Sequence, residues 1–228
     1  MSDYQSPLTA ADVRRICLEN GLDISDSQWQ LLEKWAALLL EVNQNVNLIS
    51  RKETEFLWEK QILPCLALLI FRKFSPDADV CDFGTGGGLP GMLLAIVRPD
   101  LRLTLLDSRH KKIEVVQQMI DSLKLSNAQT VLGRGEELGK QRPWRQRFPL
   151  LTARAVAPLI DLVRWTVDLR KVESVLHIYK GGEIKDEVFA FSKKVSGVRV
   201  NKSLMVLKGY PKFAENQKYI ISLEFSSK

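Results

Sequence analysis

Asp82-Phe83-Gly84-Thr85-Gly86-Gly87-Gly88-Leu89-Pro90-Gly91 follows an apolar, β-prone run at residues 79–83 and leads into a helical pattern over residues 89–97. Four of the five positions from Gly84 to Gly88 are glycine. Such a run weakens a fold unless the backbone must turn tightly and let a ligand lie against main-chain N–H groups. Pro90 suits the first turn of a helix, where no donor is needed. Strand, glycine loop and helix together open a βα unit, the building block of a parallel sheet that binds ligands at its strand ends.

Downstream the same alternation continues. Residues 101–106 read as a second strand, 108–123 as a helix with Ile113, Val116, Ile120 and Leu123 on one apolar stripe, and 129–132 as a third strand. A fourth strand at 150–155, a helix at 158–169, a fifth strand at 174–179 and a short helix at 183–191 follow. Two last strands, 198–207 and 219–225, are joined by a turn at Gly209 to Pro211. Upstream the pattern is helical: Trp29, Leu32, Trp35, Leu39 and Val42 recur at three- and four-residue spacing, and an apolar run covers residues 62–71. These patterns predict a helical N-terminal extension over residues 1–75 and an α/β core over 76–228, forming a single structural domain overall.

Composition narrows the setting. A chain of 228 residues with 45% hydrophobic composition can bury one full core. Lys and Arg exceed Asp and Glu by 33 to 27, a net charge of +6, which favours a polyanionic partner. Cys17, Cys65 and Cys81 are odd in number and widely spaced, so neither a disulfide framework nor a metal cluster is expected. Residues 1–11 are polar and no segment reaches eighteen uninterrupted apolar residues, so a soluble, cytoplasmic protein without a membrane span is expected.

Two ligands compete for the glycine loop, because Gly86, Gly88 and Gly91 also satisfy the G-x-G-x-x-G pattern of dinucleotide-binding folds. Three details favour S-adenosylmethionine over NAD. Asp82 immediately precedes the loop, where it could hold the ligand's amino group directly or through water; the glycines begin at Gly84; and S-adenosylmethionine presents no pyrophosphate to the helix end. Gly86 then belongs to the cofactor cradle. Asp107, which ends the second strand twenty-three residues after Gly84, could accept both ribose hydroxyls of an adenosine, a role common to both ligands.

The ordered set Gly84-Thr85-Gly86-Gly87-Gly88-Leu89-Pro90-Gly91, Thr104-Leu105-Leu106-Asp107-Ser108, Arg134-Gly135-Glu136-Glu137, Ala153-Arg154-Ala155 and Lys180-Gly181, with Asn43 and Asn47-Leu48 upstream, resembles the small-subunit (16S) ribosomal RNA guanine-N7 methyltransferase family. That family is also called RsmG or glucose-inhibited division protein B. The resemblance spans nearly the whole chain. It implies a class I S-adenosylmethionine-dependent methyltransferase: Rossmann-like, with a seven-stranded sheet, a C-terminal antiparallel hairpin and a helical N-terminal extension. It implies cofactor contacts at Gly84, Leu89, Gly135, Glu136 and Arg154, with S-adenosylhomocysteine as product and 16S ribosomal RNA or an assembling small subunit as substrate. Gly135 and Glu136 would read the adenine edge, and the planar fork of Arg154 could hold a carboxylate or an RNA phosphate. Where members carry His-Ile-x-x-Ser, this chain reads Gln61-Ile62-Leu63-Pro64-Cys65, so those histidine and serine roles do not carry over.

Guanine N7 has an in-plane lone pair, so methylation there needs no general base and can proceed by alignment alone. No catalytic side chain is assigned. An Asn/Asp-Pro-Pro-aromatic motif for exocyclic amines is absent, and Pro64-Cys65 precedes the glycine loop, where it reads as helix packing. His110 and His177 lack metal-ligand company, so no metal is expected. For RNA, the loop Lys140-Gln141-Arg142-Pro143-Trp144-Arg145-Gln146-Arg147 sets four cations around an indole, pointing to Arg142 and Arg145. Lys180, at the end of the fifth strand, is placed for the rim of the site. A monomer is expected. The alternatives are a methyltransferase of another substrate, an NAD-dependent oxidoreductase, or a noncatalytic ribosomal RNA-binding assembly factor.

Overall fold

A computed structural model describes residues 6–226; the first five residues of the polar opening stretch lie outside the described residues. Helix α1 (Ala10–Glu19) is opened by Thr9, whose hydroxyl accepts from the Asp12 N–H while the Asp12 carboxylate accepts from the Thr9 N–H. Helix α2 (Asp26–Asn43) starts with the same reciprocal cap between Ser25 and Gln28. A 3-10 turn (Arg51–Glu53) and a π-helical turn (Leu57–Ile62) lead without a break into α3 (Leu63–Phe71).

From there strands and helices alternate: β1 (Asp79–Phe83), α4 (Gly91–Val97), β2 (Arg102–Asp107), α5 (His110–Leu123), β3 (Ala128–Leu132), α6 (Gly135–Leu138), β4 (Phe148–Arg154), α7 (Leu159–Thr166), β5 (Arg170–Gly181), α8 (Lys185–Lys194), β6 (Val198–Leu204), α9 (Lys212–Glu215) and β7 (Lys218–Phe225). The seven strands form one sheet in the order β3-β2-β1-β4-β5-β7-β6. The first five run parallel, and β7 is antiparallel to both β5 and β6. The expected terminal hairpin is present, but β6 ends at Leu204 and not at residue 207. Beyond it Met205 and Leu207 turn into the core, and the connection holds the short α9.

Two apolar clusters sandwich the sheet. One contains Cys81, Phe83, Leu151, Leu176 and Leu223 with α7 and α8. The other joins Val80, Leu103 and Leu105 with α4 and α5, and also with Leu32, Trp35 and Leu39 of α2 and Leu66 of α3. The N-terminal helices therefore pack into the same core as the sheet. Gln28 links the layers, its Nε2 donating to the free carbonyls of Ile96 and Val97 at the end of α4. Among the described residues no helix is long and apolar enough to cross a membrane.

Candidate cofactor cleft

At the carboxyl ends of β1, β2, β3 and β4 lies a cavity of about 570 Å³. All seven expected cofactor residues, Gly84, Gly86, Leu89, Asp107, Gly135, Glu136 and Arg154, line it. The glycine loop is held against the end of β2, where the Leu106 carbonyl accepts from Gly84 N at 2.8 Å and Thr85 N at 2.9 Å. Gly84 has φ +69°, and a Cβ there would lie 2.7 Å from Val156 Cγ2 in the loop after β4. Backbone conformation and space together require glycine at this position.

Asp82 departs from expectation. Its side chain is fully buried and accepts from Thr85 Oγ1 at 2.6 Å, Thr152 Oγ1 at 2.8 Å and Gly91 N at 2.9 Å. Burial pushes its pKa up, against these hydrogen bonds and the nearby Arg154 charge. The carboxylate does not line the cavity; it staples the loop to β4 and to the start of α4. The sequence shows an acid before a glycine loop, but not which way its side chain turns.

Asp107 does face the cavity and is 8% exposed. Its Oδ2 accepts from Gly86 N at 2.9 Å and its Oδ1 from Arg109 N at 3.0 Å. Each oxygen keeps a further lone pair for a ribose hydroxyl. Lys112 of α5 lines the same cavity, with its Nζ beside Gly86. Burial lowers its pKa, partly offset by the Asp107 charge. Its place in the first turn of α5, directly above the end of β2, was the available signal.

Past β3, Gly135 begins α6. A Cβ at Gly135 would meet Phe83 Cε2 at 2.4 Å and the Trp165 carbonyl at 2.8 Å, so glycine lets α6 close onto β1 and α7. That approach brings Glu136 to the cavity wall.

Arg154, at the end of β4, behaves differently from the expected ligand clamp. Its Nη1 donates to the Gln61 carbonyl at 3.3 Å and to Cys65 Sγ at 3.4 Å. Its Nη2 donates to the Lys60 carbonyl at 3.0 Å and to Gln61 Oε1 at 2.7 Å. Two nitrogens with four hydrogens are thereby fully engaged. The fork grips the N-terminal segment, and only Nε–H and the charge remain for a ligand. Gln61 and Cys65, the two departures from the family pattern, are both partners of this arginine. Cys65 is buried, its thiol pushed up to about 11 chiefly by that burial, which keeps it neutral and unreactive.

The N-terminal segment supplies a wall of the cavity, Leu48, Ile49, Glu53 and Gln61; motif reading named Leu48 and Gln61 without a place in the cleft and missed Ile49 and Glu53. Asn43 makes this wall. Buried at the end of α2, its Oδ1 accepts from Leu48 N at 2.8 Å and Ile49 N at 2.9 Å, curling the chain over the glycine loop. The signal was the asparagine pair Asn43 and Asn47.

Of the residues expected to bind RNA, Lys180 sits beside the loop after β4, its Nζ donating to the Ala157 carbonyl at 3.3 Å, and none of the three lines the cavity. Lys180 is paired to Glu187 at 2.8 Å, and the same Glu187 oxygen accepts from Leu159 N, so this pair anchors the start of α7. Arg142 and Arg145 are in a loop at the amino-terminal edge of the sheet, opposite the cavity. Arg147 of that loop reaches Asp79 at the start of β1 at 3.3 Å, and Trp144 stacks on Phe148 at the start of β4. Parallel strands place their starts and ends on opposite edges, so this loop and the cavity do not meet. His110 is exposed beside Glu114, and His177 is buried in the sheet.

Comparison with known proteins agrees with this geometry. A protein from Moorella thermoacetica named "Ribosomal RNA small subunit methyltransferase G" is 32% identical over 177 residues, 78% of this chain and 74% of that protein. Its namesake from Chlorobium limicola is 39% identical over 173 residues, 76% of each chain. Among solved structures, a mutant of MtNAS in complex with S-adenosylmethionine superposes with a TM-score of 0.57 at 14% identity, covering 96% of this chain and 85% of that one. Precorrin-6y C5,15-methyltransferase from Geobacter metallireducens gives 0.53 at 14% identity, covering 73% and 89%. These two likenesses concern the fold alone. Residues 28–217 match the family described as rRNA small subunit methyltransferase G, and the chain belongs to that family.

Proposed function

We propose that the chain transfers the methyl group of S-adenosylmethionine to N7 of a guanine in 16S ribosomal RNA, acting as a cytoplasmic monomer. The observation that carries this reading is the cavity at the ends of β1 to β4, which gathers Gly84, Asp107, Glu136 and Arg154 within the span matched to the family. The residues fit the cofactor. Gly84 and Gly135 leave space that a Cβ would fill, Asp107 keeps lone pairs toward the cavity, and the volume suits a ligand of that size.

Bound there, S-adenosylmethionine supplies a methyl group activated by a sulfonium. Asp107 would accept from the ribose hydroxyls, Glu136 and the main chain at Gly135 would hold the adenine, and Gly84, Gly86 and Leu89 would shape the wall beneath. Leu48 and Ile49 cover the glycine loop and exclude water. Guanine N7 brings its own lone pair, so the chain's part in catalysis is to align that nitrogen in a dry, preorganised site. Within the N-terminal extension, Leu48, Ile49, Glu53 and Gln61 complete the cleft on the substrate side. Methyl transfer to another substrate, or RNA binding without turnover, is disfavoured by the complete cofactor wall and the family membership.

The test is transfer of labelled methyl from S-adenosylmethionine to unmethylated small-subunit RNA or subunits, followed by chemical cleavage at N7-methylguanine. One labelled guanine is expected. Binding of S-adenosylhomocysteine with no label in RNA would overturn the substrate or the claim of turnover.

A further inference from the structure

The spatial strand order β3-β2-β1-β4 lays out the cleft: Glu136 after β3, Asp107 after β2, the glycine loop after β1 and Arg154 after β4. The adenosine end of the cofactor belongs with Asp107 and Glu136, so the reactive end lies toward β4. There the N-terminal segment places Glu53 on the cavity wall. Its Oε2 accepts from Gln61 Nε2 at 2.7 Å, and its Oε1 has no hydrogen-bond partner among the described residues. Gln61 Oε1 in turn accepts from Arg154 Nη2 at 2.7 Å, so the amide is fixed at both ends and cannot flip. With the Arg154 fork engaged and Asp82 buried, Glu53 is the acid on this side of the cavity with acceptor capacity to offer.

We infer that Glu53 selects guanine, its carboxylate accepting from N1–H and the 2-amino group of the target base, and that Gln61 is the positioning residue that aims it through its bridge to Arg154. This rests on the functional reading above. The chemistry of the base supports it. When N7 points at the methyl donor, N1 and the 2-amino group lie across the ring, directed away from the cofactor. The group that reads them must come from outside the strand ends that hold the cofactor, as Glu53 does. A carboxylate accepts from both guanine donors, whereas adenine, which also has a free N7, presents a lone pair at N1 and repels it. A neutral glutamine keeps this arrangement independent of pH across the physiological range.

The experiment uses the full chain, with Glu53→Gln as the main variant and Gln61→Ala as the second. Three quantities are measured: S-adenosylhomocysteine affinity, kcat/KM for labelled methyl transfer to small-subunit RNA, and the same on RNA carrying inosine, which lacks the 2-amino group, at the target position. Glu53→Gln is expected to lower kcat/KM by about tenfold to a hundredfold with cofactor affinity unchanged. The wild type should discriminate against inosine and the variant should not. Gln61→Ala, which leaves the acid in place but untied, should show the same loss in weaker form. Undiminished transfer by Glu53→Gln, a persisting inosine penalty, or an equal loss of cofactor affinity, which would assign the acid to the cofactor's amino group, overturns the inference. No transfer by the wild type removes the functional reading itself, and this inference with it.

Discussion

The Asp107 carboxylate and the Gly86 main chain are joined by a 2.9 Å hydrogen bond, which ties the end of β2 to the loop after β1. The residue that would hold the ribose therefore also shapes the loop beneath the cofactor. Asp107→Asn keeps the size of the side chain and removes its charge and one acceptor. It should weaken S-adenosylhomocysteine binding by about 1.5–3 kcal/mol, the range for hydrogen bonds to a charged group. Titration calorimetry reads this directly, and unchanged affinity would remove Asp107 from the cofactor site.

Gly135→Ala puts a methyl group 2.4 Å from the Phe83 ring and 2.8 Å from the Trp165 carbonyl. Neither neighbour is the far end of a flexible chain. Overpacking of this kind costs about 1–3 kcal/mol, so the urea midpoint should fall and α6 should lift from the cavity, loosening cofactor binding as well. A variant as stable as the wild type would mean that α6 relaxes freely.

Much of this was legible in the chain, for reasons specific to each residue. Strands β1 and β2 are apolar runs bounded by a proline or glycine break, so their limits were read within about a residue or two of those observed. The glycine loop was legible because its glycines have no other use. Side-chain direction was not legible. Asp107 is the last residue of β2 and turns into the cleft, whereas Asp82, one residue short of the end of β1, turns into the core, an offset that depends on strand limits finer than the pattern resolves. The basic loop around Trp144 carries the composition of an RNA contact and sits at the edge of the sheet opposite the cavity, a placement that depends on where strand starts and ends fall in space. Glu53 escaped notice, and Gln61 was read only as a departure from the family pattern, because the N-terminal segment reaches the cavity by a curl that Asn43 imposes from a distance.

Arg154→Lys tests the tether between β4 and the N-terminal segment. One ammonium cannot reproduce four hydrogen bonds to Lys60, Gln61 and Cys65 from a planar fork. Amide exchange over residues 57–65 should accelerate, while the strands of the sheet keep their protection. If exchange there is unchanged, the fork is not what holds the segment, and the contribution of Arg154 is its charge alone.

His177 gives the stability of the fold a defined response to acid. It is 4% exposed between Phe74 and the antiparallel strand β7, with Nδ1 2.9 Å from Ser222 Oγ. Arg72 donates to the same hydroxyl at 2.8 Å and to Ser203 on β6. Burial, and then the Arg72 charge, lower its pKa from 6.5 to about 3. The unfolded chain therefore binds a proton that the folded chain refuses between those two values. The contribution is harmless above pH 6.5, and stability falls as pH drops through the window toward 3, by about 1.4 kcal/mol per pH unit from this residue. Denaturant unfolding of the wild type and His177→Gln between pH 7 and pH 4 isolates it, because the carboxylates titrate in both proteins. The variant should start less stable and lose less as the pH falls. Parallel slopes would mean that His177 takes up its proton in the folded state, with Arg72 or Ser222 moving aside to admit it.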